Sequence, residues 1–440
     1  MSTAIHQKSE TFSIADAQRH IVDLLKPNPA IYWCDFLVTW CLGIFVHDCA
    51  RRLSGQLWFS AEGLAPEGGW TVPTTLLEFE SYNAKLIAYI MCATIGILLF
   101  YRAAMFIHEI VHFKRGSMPL FRFTWNALCG ITFLIPSFVY YTHLDHHRRV
   151  HYGTDGDGEY LPLARRSPLH IILFMLHPFI VPPLVFMRFL VFTPLAYIIP
   201  GFRRWIHKRA SSMIIDPTYI RPTAGKRVVQ IIYMQEFLTF LWCIALIVVP
   251  IMKFDIIAYP FLLHAYVVGA GILTLNGLRT LGAHRWTNDN GEMTFEEQLL
   301  DSVNYPHNPI LGELWAPVGL RYHALHHFFP KIPYHNLPKA HRRLMENLPD
   351  DSPYRNTSQT TLRRQLADLW SMARNSARTD ASDQAKKEID SIKAQQMTSW
   401  RFTHDKQAND ERCTDLYVLC QLPITHAADL PRLGHCLAIS

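Results

Sequence analysis

The stretch LIAYIMCATIGILLFYRAAMFIHEIVH, residues 86–112, combines the two features that dominate this 440-residue chain. Its first part, Leu86–Ile107, is almost wholly apolar and long enough to cross the roughly 30 Å hydrocarbon layer of a bilayer as a helix. Its last five residues place His108 and His112 four positions apart, and therefore on one face of the same helix. The stretch predicts a membrane helix that ends in a pair of side chains able to bind a metal.

Other apolar segments extend this pattern. Three have a comparable length and predict further membrane spans: Ile31–Ala50, Val228–Met252 and Ile256–Leu278. Two more, Phe123–Thr142 and Pro168–Pro200, contain proline, which removes a backbone donor from a helix, and we interpret both as re-entrant or interfacial. The predicted fold is all-α and integral to the membrane, with four transmembrane helices, re-entrant or interfacial helices and a cytoplasmic histidine-rich cap.

The composition agrees with a membrane protein. Half of the residues are hydrophobic and 18% are charged, against about 25% charged residues in typical soluble proteins. The net charge of +6 is small, and no basic run with interleaved aromatics suggests a nucleic-acid partner. Lysine and arginine are concentrated over residues 148–227. By the positive-inside rule, we expect this segment, both termini and the region after Leu281 to be cytoplasmic.

The polarity of the chain predicts three parts. Residues 1–30 form a polar N-terminal segment, and residues 31–350 form a membrane domain that contains the apolar segments and the histidine clusters. Residues 351–440 are polar and rich in serine, glutamine and arginine, which predicts a mostly flexible C-terminal tail. Within that tail, Leu362, Leu366 and Leu369 allow one short amphipathic helix.

Eight of the 23 histidines lie in three short clusters that we call box one, box two and box three. The boxes are HEIVH with His108 and His112, HLDHH with His143, His146 and His147, and HALHH with His323, His326 and His327. In a helix, each spacing stacks the imidazoles on one face, and neutral imidazole binds iron, zinc or copper. Three converging faces offer enough ligands for two ions, provided that all three boxes lie on the same side of the membrane.

Four further residues are candidates for the same site. His284 follows the last apolar segment, where it could reach the boxes as a ninth ligand. Asn276 lies about two helical turns earlier, and a helix-packing role suits it as well as one near the metal. Glu109 and Asp145 stand inside boxes one and two, where carboxylates more often orient ligand imidazoles than bind the metal themselves.

HEIVH, HLDHH and HALHH, in this order and with a long gap before the last, resemble the histidine boxes of the membrane fatty acid desaturases. The similarity extends from about Ile31 to Leu344, and YGTDGDGEY after box two is similar to bacterial-type members. The resemblance implies two non-haem irons, bound by the box histidines and His284, that use O₂ to desaturate a fatty acyl chain. It also implies a bacterial inner membrane as the location.

The same resemblance implies two kinds of partner. The substrate would be a fatty acyl lipid, an acyl-CoA or an acyl carrier protein. The chain has no His-Pro-Gly-Gly haem motif, so we expect the electrons to come from a separate ferredoxin, rubredoxin or cytochrome.

Three other functions stay open at the level of sequence. Hydroxylases and ketolases that act on lipids, alkanes, sterols or carotenoids use very similar boxes. HEIVH also matches the HExxH signature of zinc proteases, with Glu109 as general base, but that function leaves six box histidines without a role. A metal transporter would need polar residues at mid-membrane, where Ile256–Leu278 offers only His264 and Asn276.

Overall fold

The computed structural model describes residues 14–58, 76–254 and 259–379. These residues are mainly helical and contain no β-strand, only two isolated bridges, His284–Ser302 and Asn304–Tyr322. The first helices in chain order are α1 (Ile14–Arg19), α2 (Pro29–Trp58), α3 (Leu76–His112), α4 (Pro119–Trp125), α5 (His143–His146), α6 (Pro168–Met187), α7 (Thr193–Ile198) and α8 (Pro200–Arg209). They are followed by α9 (Lys226–Phe254), α10 (Tyr259–Ala283), α11 (Phe295–Asp301), α12 (Pro309–Trp315), α13 (His323–Phe328), α14 (Leu337–Asn347), α15 (Pro353–Asn356) and α16 (residues 362–379). The all-α prediction is confirmed.

Five helices of the described chain are long and apolar enough to cross a membrane. They are Pro29–Ser54, Glu80–His112, Pro168–Ile198, Lys226–Met252 and Phe261–Ala283. Four of them coincide with the predicted spans, except that residues 255–258 lie outside the described residues. The helices are consistent with a multi-pass membrane protein, but the predicted number of four is not confirmed because the structure offers a fifth candidate.

The fifth candidate, Pro168–Ile198, corrects the expectation that its prolines interrupt the chain. Helix α6 continues through Pro178, Pro182 and Pro183, and a π-helical turn at Arg188–Phe192 joins it to α7. Each proline removes one backbone donor, yet its fixed φ is close to the helical value. In an apolar segment, the continued helix satisfies more backbone groups than a broken chain would, which explains why the helix persists.

The segment Phe123–Thr142, in contrast, is not one helix. Helix α4 ends at Trp125, a π-helical turn follows, and the chain then reverses before a 3₁₀ turn at Ser137–Tyr140. The side-chain oxygen of Asn126 accepts a hydrogen bond from the Ser137 backbone N–H at 2.9 Å. A Cβ atom at Gly130 would lie 3.2 Å from Pro136 Cα, so the absent side chain allows this close reversal. The reversal brings box two back towards box one.

An aromatic cluster joins α2 and α3 to the loop after box three. Tyr32 contacts Tyr334 and Phe106, with ring centroids 5.1 and 6.2 Å apart. Beside this cluster, Arg102 pairs with Asp35 at 2.6 Å. These contacts fix the end of α3, which carries box one, against the loop that follows box three.

The C-terminal helix α16 packs onto the membrane domain. Leu369 and Ala373 are buried in a cluster that also contains Trp286, and Gln365 donates a hydrogen bond to the His284 backbone oxygen at 2.9 Å. Because these side chains are buried, the compact unit extends to Thr379 rather than to residue 350. The remainder of the predicted tail, residues 380–440, lies outside the described residues.

Candidate metal centre

The structure brings all nine predicted histidines together in two groups. Within each group, one ring nitrogen from every member lies within 4.8 Å of the others. The five-histidine group contains His108, His112, His143, His147 and His326. The four-histidine group contains His146, His284, His323 and His327.

Each of the nine histidines lies in a helix or directly after one. Box one forms the last turn of α3, box two begins with α5, and box three forms most of α13. His284 follows α10 directly. The ring centroid of His108 lies 4.7 Å from that of His143 and 4.2 Å from that of His326. Boxes one, two and three therefore face one shared volume, as a common site requires.

The hydrogen bonds of His146 and His284 indicate that a cation belongs between them. The Nδ1 atom of His146 lies 2.7 Å from a carboxylate oxygen of Asp157, which can only accept, so Nδ1 carries the proton. Tyr152 donates its hydroxyl proton to Asp301 and therefore accepts from His284 Nδ1 at 2.8 Å. When both rings are neutral, both Nε2 atoms therefore carry lone pairs, and they face each other at 3.2 Å. Such an arrangement is repulsive unless a cation lies nearby.

The spacing of the other ring nitrogens also fits bound metal. Two imidazole nitrogens that each lie about 2.1 Å from one ion can be no more than about 4.2 Å apart. The observed Nε2 separations are 3.0 Å for His143–His147, 3.1 Å for His112–His326 and 2.9 Å for His284–His323. An all-imidazole donor set suits iron, zinc or copper. The residues present therefore fit two metal ions, one in each group.

Burial keeps most of these imidazoles neutral, which is the form that binds metal. It lowers the pKa well below its ordinary value for His143, His147, His284, His323, His326 and His327. Burial also acts on the pKa of His146, but the Asp157 carboxylate opposes it and raises that pKa above the ordinary value. His146 is thus the most basic imidazole of the four-histidine group.

Four residues that sequence reasoning did not single out support the histidines. Asp157 and Tyr152 contact His146 and His284 as described, and a Glu159 oxygen lies 2.9 Å from His143 Nδ1. Burial raises the pKa of Glu159 to about 8. Asp301 accepts from Tyr152 at 2.8 Å. Three of these residues belong to YGTDGDGEY, and the signal that could have revealed them is the carboxylate pair so soon after box two.

The carboxylates inside the boxes have other contacts. Glu109 accepts from the Tyr32 hydroxyl and, at 3.1 Å, from the Tyr334 backbone N–H. Asp145 pairs with Arg148 at 3.0 Å. No contact of either residue with a box histidine is seen within the described residues, so the expectation that they orient ligands stays a prediction.

A cavity of about 220 Å³ opens beside the four-histidine group. His143, His146, His284 and His323 form part of its wall, together with Glu159, Asn276 and Arg279. Apolar residues of α6 and α10 form another part, among them Phe174, Val181, Val185 and Leu273. The predicted candidate Asn276 thus lies on the cavity wall, where it accepts a hydrogen bond from Arg279 at 2.9 Å. The arrangement can hold an apolar chain against the histidines.

Comparison with known proteins agrees with this geometry. The sequence model of the family described as fatty acid desaturase matches residues 84–358, which include all nine histidines. The chain is also similar to a ceramide hydroxylase of Caulobacter vibrioides strain NA1000 / CB15N, with 36% identity over 354 residues. That alignment covers 80% of this chain and 91% of the relative. No solved structure matches the chain.

Proposed function

Since the chain belongs to the fatty acid desaturase family, we propose that it is a membrane hydroxylase that inserts one oxygen atom of O₂ into a ceramide-like lipid. The net reaction consumes a C–H bond, O₂, two electrons and two protons, and it yields the hydroxylated lipid and water. This proposal takes the hydroxylase alternative in preference to the desaturation that the histidine boxes first suggested.

The observation that carries the proposal is the similarity to a ceramide hydroxylase over nearly its full length. Desaturation and hydroxylation differ in substrate placement and share the same histidine boxes, so the boxes do not separate them. The similarity to a named ceramide hydroxylase favours hydroxylation over desaturation. The HExxH protease is disfavoured because Glu109 hydrogen-bonds with Tyr32 and Tyr334 instead of facing the cavity.

The nine histidines would hold two iron ions, which supply the O₂ activation that an unactivated C–H bond requires. Asp157 and Tyr152 fix the orientation of His146 and His284, so that both Nε2 lone pairs point into the four-histidine group. The apolar wall of the cavity would hold the lipid chain and exclude water from the reacting carbon.

The proposal includes the setting of the enzyme. The protein would lie in the inner membrane of a bacterium, with the metal centre and both termini in the cytoplasm, and lipid would enter from the bilayer. Electrons would come from a separate ferredoxin, rubredoxin or cytochrome on the cytoplasmic side.

The test is expression in a bacterial host supplied with ceramide, followed by mass spectrometry of the extracted lipids. We expect ceramide that is one oxygen atom heavier, and none of it in the matched His326→Ala variant. The Caulobacter ceramide hydroxylase in the same host controls for electron supply. Ceramide or phospholipid lacking two hydrogens would instead establish desaturation, and an unchanged lipid profile beside an active control would contradict both reactions.

A further inference from the structure

Arg279, a cation of the cavity wall, interacts with the Glu159 carboxyl group and with the hydroxyl groups of Tyr101 and Tyr140, yet it keeps one unused hydrogen-bond donor. Arg279 lies on α10 and is 8% exposed. Among the described residues that line the cavity, it is the sole lysine or arginine. One guanidinium nitrogen donates to Asn276, whereas the buried Nε has no hydrogen-bond partner in the described chain.

The position of Arg279 is electrostatically unfavourable in the protein alone. It stands in an apolar helix that is long enough to cross a membrane, where a buried charge is costly. It also shares a cavity with histidines that, as we propose, hold two dications of the same sign. A buried cation in such a place indicates a function, and its unused Nε donor is available to a group from outside the chain.

We propose that Arg279 binds the polar headgroup of the lipid substrate, through an amide carbonyl or hydroxyl oxygen, and so selects a carbon close to that headgroup for oxidation. This inference rests on the proposed function, since it concerns the substrate of the same site. The guanidinium would donate from Nε, and Asn276, whose oxygen is already held by Arg279, would present its amide N–H groups beside it.

The charge of the cavity favours a neutral headgroup over a phosphate. Phosphate sites usually combine several cations or bidentate arginine contacts. Here Arg279 is the sole lysine or arginine among the described residues of the cavity wall. Ser212 also lines the cavity, and its buried hydroxyl has no hydrogen-bond partner within the described residues. One guanidinium, one amide and one hydroxyl match the amide and hydroxyl groups of a ceramide.

The shared cavity determines which carbons of the lipid can meet the histidines once the headgroup is bound. The histidines and Arg279 line this same volume. A headgroup held by Arg279 therefore leaves only the nearest carbons of the chain beside the four-histidine group, and the middle of the chain stays out of reach.

The experiment compares the wild-type protein with Arg279→Met, Arg279→Lys and the control Arg227→Met, which removes a charge from an exposed position. Binding is measured under argon on the purified full chain with two fluorescent lipids. One is a ceramide, and the other is an analogue of equal length that lacks the amide and hydroxyl groups. Metal content is measured for every variant, so that a collapsed site is recognised.

We expect Arg279→Met to raise the Kd for the ceramide about tenfold or more, with an unchanged Kd for the analogue. Arg279→Lys keeps the charge but loses the planar guanidinium group, so its Kd for the ceramide should lie between those of the wild type and Arg279→Met. In turnover, the wild type should hydroxylate one carbon near the headgroup, and Arg279→Met should spread the product over several carbons. Arg227→Met should match the wild type in both assays.

The two proposals fail in different ways. A desaturated or unchanged ceramide from the wild type would contradict the hydroxylase, while the binding comparison would still report on Arg279. The headgroup assignment would be overturned if Arg279→Met bound the ceramide and the analogue more weakly by the same factor. It would also be overturned if Arg279→Met kept its full metal content and bound both lipids as tightly as the wild type. Hydroxylation at mid-chain by the wild type would overturn it as well.

Discussion

Box two and box three have the same sequence pattern, HxxHH, yet they serve the two groups in opposite ways. In box two, the first and last histidines, His143 and His147, belong to the five-histidine group, and only His146 belongs to the four-histidine group. In box three, His323 and His327 belong to the four-histidine group, and only His326 belongs to the five-histidine group. Box one and His284 complete the two groups. The comparison teaches that i, i+4 partners stay together, whereas the i+3 histidine crosses to the neighbouring group.

The boxes also differ in what orients them. In box two, carboxylates contact the Nδ1 atoms of His143 and His146. In box three, Nδ1 of His323 and of His326 has no hydrogen-bond partner in the described chain. Box three is instead anchored through its backbone, because the Leu325 N–H donates to the buried side chain of Asn304 at 3.0 Å. Box two is therefore oriented by contacts to its imidazole rings, and box three by a contact to its helix backbone.

Removing one ligand from box two or from box three should have the largest effect. His147→Ala takes a ligand from the five-histidine group, and His327→Ala takes one from the four-histidine group. Each should lower the metal content from about two ions per chain to about one and reduce turnover by more than about 100-fold, since even outer-shell partners contribute 10–100-fold. Elemental analysis of the purified variants measures this. Loss of both ions from either variant would mean that the groups do not act separately.

A smaller effect should come from the carboxylate that orients box two. Asp157→Asn weakens the hold on His146, so we expect about 10–100-fold weaker metal affinity, confined to the four-histidine group. A chelator titration followed by metal analysis measures the affinity of each site. Asp155→Asn, an exposed position in the same loop, is the matched control and should behave as the wild type. Equal weakening of both sites would contradict the assignment of Asp157 to one group.

The smallest effect should follow from the carboxylate inside box one. Glu109→Gln keeps an acceptor for Tyr32 and Tyr334, so turnover should change less than about threefold and the free energy of unfolding should fall by about 1 kcal/mol. Thermal unfolding and product analysis check both values, with Tyr32→Phe as the control for the same contact. An inactive Glu109→Gln protein with full metal content would show that Glu109 acts in the chemistry, as in an HExxH site.

Several features were accessible from sequence because they depend on local rules. Apolar length predicted the helices that contain Ile31–Ala50, Leu86–Ile107 and Val228–Met252. The interpretation of Phe123–Thr142 as re-entrant or interfacial agrees with the reversal that keeps box two near box one. The expectation that the prolines of Pro168–Pro200 interrupt the helix was wrong. That expectation considers only the backbone donor that each proline removes, and it omits the cost of leaving further backbone groups unpaired in an apolar environment.

The sequence by itself determined the all-helical fold and the nine histidines of the candidate centre, because helical periodicity and apolar length are properties of neighbouring residues. Only the tertiary structure decided the division into five and four, since adjacent residues such as His146 and His147 point in different directions and only packing sets what each meets. The tertiary structure also decided the partners of His143, His146 and His284, and it placed Arg279 on the cavity wall. Those contacts join residues that lie far apart along the chain, and no spacing rule encodes them.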